Sequence, residues 1–449
     1  MNTFRIGGIH PKSNKLSAGQ SVQVIPPPAT VVLPLSQHIG DPAAAVVAKG
    51  DKVKVGTLIG KAVGFVSANV HSPVSGTVTK VDNIIDGFGM ARPAVCIQTE
   101  GDDWEPSIDR STLLIKECNL TSAEIISKID DAGIVGMGGA AFPCKVKLMP
   151  PPGSKAEVLI INAAECEPYL TADHALMIEK SVEILVGVTL LKKAINVQRA
   201  VIGIEDDTPD AILKLTKLAT GYHGIEIVPL KKRYPQEGEK QLIDAITRRQ
   251  VKSGALPVSV GAIVINVGTA FAVYEAVCKN KPLIDRIVTL TGKSVSKPSN
   301  FLVRIGTPID VLIEAAGGQP EDTGKIIIGG PMMGKAIINT QAPVTKGCSG
   351  IVLLKKEESV RRPVHNCIRC AKCIEACPMG LEPNLLMNIT ERKAWKEAKN
   401  NHITDCIECG SCAYSCPANR PLYDFIRHGK LTVLTLEKEK KEKEKEKKQ

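Results

Sequence analysis

The run Cys367-x2-Cys370-x2-Cys373-x3-Cys377-Pro378 recurs as Cys406-x2-Cys409-x2-Cys412-x3-Cys416-Pro417. No other feature of the chain constrains its fold as tightly. Three thiols three residues apart wrap one compact inorganic core in a tight loop, which also aims backbone N–H groups at it. The x3 step starts a helix that carries the fourth thiol away, and the proline behind it suits that change of direction. This is the spacing of two [4Fe–4S] clusters in which the fourth cysteine of each run serves the other cluster. The expected cages are Cys367, Cys370, Cys373 and Cys416, and Cys377, Cys406, Cys409 and Cys412. Structural zinc also takes four-cysteine sites. It needs only paired CxxC, however, and gives no reason for a doubled run with both prolines in register. Two clusters held side by side form a one-electron wire, so a partner must deliver or receive electrons.

The remainder of the chain is ordinary in bulk. At 449 residues it is too long for one core, so two to four domains are expected. Hydrophobic residues make up 43% and charged residues 23%, which excludes wholesale disorder. The formal charge of +10 invites a nucleic-acid reading. Each cubane with four thiolates carries −2, however, which lowers the total to about +6. Aromatics are 3% of the chain, too few for a stacking surface. No apolar stretch reaches the roughly 18 residues that span a bilayer, and the first residues, MNTFRIGGIHPKSN, carry no apolar signal segment. A soluble intracellular chain is expected, and in a reducing cytosol the other six cysteines (Cys96, Cys118, Cys144, Cys166, Cys278, Cys348) read as free, mostly buried thiols.

Residues 1–105 read as short strands, Val22–Ile25, Val31–Leu35, Val53–Val55 and Val63–Val66, broken by Pro and Gly. Within them His71-Ser72-Pro73-Val74-Ser75-Gly76-Thr77-Val78 resembles the turn of biotinyl and lipoyl domains, small flattened β-barrels. Phe65 stands where those carriers have their modified lysine, which argues against a swinging arm. Residues 115–280 read as an open α/β domain. It has a helix over Ser122–Asp131 capped by Thr121 or Ser122, strands Val158–Asn162, Ala200–Ile204 and Ile263–Val267, and helices Glu179–Ala194 and Ala270–Cys278. Alternation of this kind implies a mostly parallel sheet with covered faces. Residues 282–350 return to strands, Ile287–Thr291, Phe301–Ile305, Lys325–Ile328 and Ile351–Leu354, around a helix over Pro308–Ala316. That pattern suggests a small β-grasp unit. Residues 355–430 hold the cysteine runs on short helices, a two-[4Fe–4S] ferredoxin-like domain. The tail, 431–449, repeats Lys and Glu from Glu437 to Lys448 and reads as a solvated helix or a disordered end.

Gly133-Ile134-Val135-Gly136-Met137-Gly138-Gly139-Ala140-Ala141-Phe142-Pro143 follows a helix, not the strand that a dinucleotide fingerprint requires. Its neighbourhood still suits a phosphate: Lys145 and Lys147 lie just downstream. Glu165 and Glu167 stand in Asn162-Ala163-Ala164-Glu165-Cys166-Glu167-Pro168, at the end of the next strand, where open α/β sheets bind ligands. Two acids so placed suit ribityl or ribose hydroxyls. Their plainer reading is a charged lead-in to a helix over Thr171–Met177.

GMGGAAFP, NAAECEP, Tyr234-Pro235-Gln236-Glu237-Gly238-Glu239-Lys240 and Asn266-Val267-Gly268-Thr269, followed by the double cysteine run, resemble the C subunit of the Rnf complex. That complex is the membrane-bound ferredoxin:NAD+ oxidoreductase that couples electron transfer to ion pumping. The resemblance covers residues 1–430 and extends to the FMN- and NADH-binding subunit of respiratory complex I. It implies that Gly136, Gly138, Gly139 and Lys147 hold the phosphate and ribityl end of FMN. Asn162, Glu165 and Glu167 would then face the flavin and NAD(H), the two acids positioning the reacting groups. Tyr234 and Glu239 would border the pocket, with Asn266 and Thr269 below it. It implies integral-membrane and other iron–sulfur or flavin partners, and a peripheral position on the cytoplasmic face of the bacterial inner membrane. Ala141, Ala164, Gly238 and Ile265 depart from the complex I pattern, so the phosphate grip carries over better than the NADH contacts. The alternative is a non-catalytic two-cluster relay and docking module on a degenerate flavin fold.

Overall fold

The apolar alternation of residues 30–99 folds into two small sheets that share one core. Thr30–Pro34, Ala91–Thr99, Gly76–Ile85 and Lys52–Val53 lie side by side in that order, and Ala44–Ala45, Leu58–Lys61 and Val70–His71 form the second sheet. Val31, Leu33, Ile59, Val78, Val95 and Ile97 are all at most 1% exposed between them. Gly76 makes the closure possible. It sits at φ +153°, where a Cβ would stand 1.9 Å from the Gln98 carbonyl oxygen. The structure, a computed structural model, describes residues 1–446. Two readings of this segment are corrected. Val63–Val66 is not a strand but a bend between Leu58–Lys61 and Val70–His71, because Gly64 turns the chain at φ +80°. The third strand ends at Val53, and Val55 makes only an isolated bridge to Trp104.

The first two dozen residues run outside this barrel and lace the other domains together. Asn2 bridges to Leu230 and Ile9 to Tyr234, the Gly8 amide donates to Ala376 O at 3.0 Å, and Tyr169 N donates to Ser13 O at 2.7 Å. Gln23–Val24, read from sequence with the barrel strands, pairs in parallel with Phe301–Leu302 at the edge of the third sheet.

The α/β domain holds a four-stranded parallel sheet in the order Ile225–Leu230, Arg199–Glu205, Val158–Ala163, Ala262–Asn266. Its register sets Gly203, Asn162 and Asn266 level at the carboxyl ends of three adjacent strands. Helix Ser122–Asp131 starts as expected: Thr121 accepts from Glu124 N, and the Glu124 carboxylate accepts in return from Thr121 N at 2.7 Å. The two helices expected over Thr171–Met177 and Glu179–Ala194 are Ala172–Glu179 and Ser181–Ala194, their boundary two residues later than expected. Lys180 leaves helical geometry (φ −122°, ψ 31°), and the Ser181 hydroxyl turns back onto Met177 O. Helix Ser181–Ala194 is apolar nearly all round because helix Val267–Lys279 covers it. Gly187 permits that contact, since a Cβ there would stand 1.9 Å from Ala270 O.

The third domain is a six-stranded mixed sheet, Gln23–Val24, Ser299–Arg304, Asp285–Thr291, Gly350–Lys355, Thr323–Ile328, Lys335–Ile337, with helix Ile309–Ala315 against it. The last domain is helical. Lys372–Glu375, Pro383–Glu391, Trp395–Asn400, Ser411–Tyr414 and Leu422–Glu446 enclose Leu386, Ile389, Ala398, Ile403 and Ile426. The Lys–Glu tail continues that last helix, and its final three residues lie outside the described residues. Among the described residues no helix is long and apolar enough to cross a membrane.

Candidate functional site

The glycine-rich loop comes off helix Ser122–Asp131 and lies across the end of strand Ala262–Asn266. Its base is closed by Gly136 N donating to Phe142 O at 2.8 Å. Thr269, 1% exposed, accepts from Met137 N at 2.9 Å. Asn266 caps helix Val267–Lys279, accepting from Gly268 N at 2.9 Å and Thr269 N at 3.3 Å. Gly138 leans on that cap: a Cβ there would stand 3.5 Å from Asn266 Nδ2. At the tip Gly138, Gly139 and Ala140 are exposed. Gly139 takes φ +99°, with no heavy atom within 4 Å of its absent Cβ. A loop that bares consecutive amides beside a helix start fits an anionic phosphate. Lys147 meets the same strand at its middle, donating to Val264 O at 3.1 Å, and reaches Glu239 Oε1 at 2.6 Å.

Asn162 is level with Asn266 on the adjacent strand and donates to Glu237 O at 2.8 Å. The two acids expected to face a ligand are held by backbone. Glu165 accepts from Asp173 N at 3.0 Å and His174 N at 3.3 Å, capping helix Ala172–Glu179. Glu167, 4% exposed, accepts from Met333 N at 2.7 Å and Met332 N at 3.1 Å, fixing a loop of the third domain. Burial pushes the Glu167 carboxyl up to about 7.

Several neighbours carry no strong signal in the sequence. Asp173, joined to Asn266 Nδ2 at 2.7 Å, is pushed up to about 7 by burial and then by Glu165. Glu205, 2% exposed, is pushed up to about 8 by burial and then by Asp207. Burial, then Glu167 and Glu205, holds Glu237 well above the usual carboxylate range. Lys15 spans this acidic edge, donating to Glu165 O at 2.6 Å, Glu167 O at 3.1 Å and Leu170 O at 2.5 Å. Of these, only Asp173 has a local cue, its place at a helix start. The rest converge from distant segments.

Tyr234 is 1% exposed and points away from the loop: its hydroxyl donates to Cys409 O at 2.7 Å. It packs with Ile9, Cys166, Ala376 and Cys409. Gln241 Nε2 donates to Pro378 O at 3.2 Å. The α/β domain thus meets the second cysteine loop directly.

The two cysteine loops repeat one backbone geometry. The residues flanking the middle cysteine take positive φ in both, Arg369 (55°) and Ala371 (61°) in one, Glu408 (58°) and Gly410 (75°) in the other. Three of the four are not glycine, a strained arrangement that turns successive amides inward around a core. Short helices Lys372–Glu375 and Ser411–Tyr414 then lead to Cys377 and Cys416. Cys377, Cys406, Cys409 and Cys412 line one cavity, walled by Leu381, Leu386 and Ile426. Burial pushes the Cys406 thiol up to about 11, and both Cys409 and Cys377 add to it. Burial raises Cys373, and Cys416 adds to that. Leu381 N lies 3.4 Å from Cys377 Sγ, and Glu408 N 3.4 Å from Cys406 Sγ. Each fourth cysteine therefore faces the opposite run. Four thiols spread around an apolar cavity, with amides aimed at sulfur, fit a cubane.

Comparison with known proteins gives four family matches along the chain. They are an RnfC barrel sandwich hybrid domain over residues 3–102, a Nuo51 FMN-binding domain over 129–275, an SLBB domain over 287–336 and a 4Fe-4S dicluster domain over 359–417. Curated relatives match over most of their length. The C subunit of the proton-translocating ferredoxin:NAD(+) oxidoreductase complex of Clostridium ljungdahlii is 45% identical, covering 90% of this chain and 87% of the relative. The C subunit of the Na(+)-translocating ferredoxin:NAD(+) oxidoreductase complex of Acetobacterium woodii is 42% identical over 96% and 97%. The C subunit of an ion-translocating oxidoreductase complex of Rhodobacter capsulatus is 40% identical over 85% and 74%. Among solved structures, an NAD+-reducing [NiFe]-hydrogenase in the H2-reduced state matches with TM-score 0.48 and 17% identity, over 70% of this chain and 62% of that one.

Proposed function

The chain belongs to the family of C subunits of ion-translocating ferredoxin:NAD(+) oxidoreductase complexes, and from that premise we propose that it passes electrons between NAD(H), FMN and two [4Fe–4S] clusters. The observation that carries this reading is the direct contact between the two halves of such a path. The domain bearing the exposed glycine-rich loop touches the second cysteine cage through Tyr234 and Gln241.

FMN, when bound, supplies the conversion between a two-electron hydride and one-electron carriers. The chain's own residues supply binding and alignment. The amides of Gly136, Gly138 and Gly139, with Lys147, receive the phosphate end. For Lys147 to do so its ammonium is shared with Glu239 and the Val264 carbonyl, which hold it beside the strand. Asn266 and Thr269 fix the loop from below, and Asn162 lines the adjacent strand end. Glu165 and Glu167 act by positioning: one orients helix Ala172–Glu179, the other the Gly330–Met333 loop. No proton donor is required of them, because hydride transfer depends on distance and stacking. Cys367, Cys370, Cys373 and Cys416 hold one cluster, and Cys377, Cys406, Cys409 and Cys412 the other. The ligand form is the thiolate, so cluster insertion is coupled to release of protons.

In this reading the chain sits peripherally on the cytoplasmic face of the inner membrane, and integral-membrane partners carry the cation. Two relatives of similar identity are named for different ions, H+ and Na+, which supports assigning ion choice to the partners. The test is anaerobic: reconstitute iron and FMN, add NADH, and follow flavin and cluster absorbance together. Prompt bleaching of both, lost in Gly138→Val, is expected. Clusters that bleach with dithionite but not with NADH would overturn the reading in favour of a relay whose nucleotide site lies elsewhere.

A further inference from the structure

The third domain has no evident chemistry in sequence, yet it places two buried cations directly behind the glycine-rich loop. Lys346 is 1% exposed, and its ammonium donates to Gly133 O at 2.7 Å and Asn69 O at 2.6 Å. Arg286 is 4% exposed and donates to Met137 O at 3.3 Å and to Lys346 O. The next residue, Gly347, continues under the loop: a Cβ there would stand 3.2 Å from Gly139 O and 3.3 Å from Ala141 Cβ. The platform therefore touches the loop at Gly133, Met137, Gly139 and Ala141.

Neither cation forms an ion pair among the described residues; both bond to carbonyl oxygens. On Arg286 burial is opposed first by Cys348 and then by Asp173, and no acid acts on Lys346. Burying an ammonium without a counter-charge is costly, and the usual relief is to lose the proton. Burial alone holds Lys346 down at about 7. From the barrel side His38 and His71 face it. Both are pushed down by burial and then by the Lys346 charge, His71 to about 3, and an imidazole in either form supplies no negative charge to balance the ammonium. A domain that only needed to dock would bury apolar side chains here.

We propose that Lys346 and Arg286 are positioning residues that supply, from behind the glycine-rich loop, the positive charge balancing a flavin phosphate bound at its mouth. This rests on the FMN reading above. Lys147 meets the phosphate from the front, and the two buried cations sit behind the loop, Arg286 acting through the Met137–Gly138 peptide and Lys346 by its charge beneath the loop's foot. Turning Met137 O toward Arg286 leaves the amide of the same peptide, Gly138 N, free to face outward, while Lys346 anchors the foot of the loop at Gly133 O, where Ile134 N donates to Ile129 O at 3.1 Å. The missing counter-charge is then the ligand's own.

The test compares FMN with riboflavin, which has the same ring and ribityl chain but no phosphate, in the cluster-loaded protein. Binding is read by quenching of flavin fluorescence. Lys346→Gln keeps a donor for the loop carbonyls and removes the charge. It is expected to weaken FMN binding about tenfold or more, about 1.4 kcal/mol, while riboflavin affinity stays within about twofold. Lys346→Arg is expected to retain the preference for FMN. Should Lys346→Gln fail to assemble its clusters, Lys346→Met, of similar length and with no polar group to bury, serves instead. Equal losses for both flavins would mean a purely structural role and overturn the proposal, as would unchanged FMN affinity. Wild-type protein that binds neither flavin would instead overturn the FMN reading on which the proposal rests.

Discussion

Replacing Tyr234 by Phe tests the joint between the two redox halves. The ring is 1% exposed among Ile9, Cys166, Ala376 and Cys409, so phenylalanine keeps the apolar burial and removes one hydroxyl. That hydroxyl donates to Cys409 O at 2.7 Å, and no other side-chain donor reaches this carbonyl among the described residues. A buried acceptor left without a donor costs about 1–3 kcal/mol. Against a domain stability of roughly 5–15 kcal/mol the chain still folds. The cost falls on local opening of the joint, whose population rises about 5- to 30-fold for 1–2 kcal/mol. A chelator reaches the enclosed iron only in that open state. Release of iron from the cluster of Cys377, Cys406, Cys409 and Cys412 is therefore expected to accelerate by about that factor, followed by cluster absorbance or EPR. The cluster of Cys367, Cys370, Cys373 and Cys416 does not touch Tyr234 and keeps its wild-type rate. Equal rates in mutant and wild type for the enclosed cluster, or a uniform acceleration of both, would refute the reasoning.

Two further outcomes follow from the same geometry. Cys377→Ala should remove the cluster held by Cys406, Cys409 and Cys412 and leave the other, halving iron content; loss of the Cys367 cluster alone would sink the crossed cages. Glu205 is raised in the fold from 4.5 to about 8, so the folded state binds its proton more tightly than the unfolded one. Its contribution is fully favourable below about pH 4.5 and declines as pH rises, levelling only above about 8. Glu205→Gln should therefore gain on wild type between pH 6 and 8 by about 2 kcal/mol, seen as a widening gap in thermal midpoint; a gap independent of pH would contradict it.

What sequence made legible follows from how local each signal is. The Thr121 cap, one of the two expected, and the α/β strands rest on local pattern, and the structure reproduces them. The break between Thr171–Met177 and Glu179–Ala194 is legible, but its place is two residues off, because only the backbone angles of Lys180 show where the first helix stops. Glu165 is legible as a charged lead-in to the helix it caps, whereas the hold of Glu167 on the third domain is not. Their amide partners come from a helix eight residues on and from a loop 165 residues away. Lys346 and Arg286 left no trace at all. They meet the glycine-rich loop across 213 and 149 residues, and a cation bonded to carbonyl oxygens imposes no pattern on its own neighbourhood.

The proposed cages differ in a way that bears on how electrons leave the chain. Cys377 is 8% and Cys409 7% exposed, and Leu381 N and Glu408 N point at the sulfurs of that cage. Cys367 and Cys370 are exposed, in a segment where Arg361, Arg362, Arg369 and Lys372 are exposed as well. Reduction adds a negative charge to either cluster, and potentials follow burial and hydrogen bonds to sulfur. In the enclosed cage the added charge is stabilised by fixed amides, which salt does not screen. At the open cage it is stabilised partly by exposed cations, whose field is screened within a Debye length of about 8 Å at physiological ionic strength. Raising salt should therefore lower the potential of the Cys367 cluster and leave that of the Cys377 cluster nearly fixed. Potentiometric titration followed by EPR at low and high salt, with Cys377→Ala to assign the signals, measures both. A larger shift in the enclosed cluster would reverse the assignment of inner and outer carrier. The expected result makes the Cys367 cage the point where a partner, by covering those cations, tunes the electron it receives.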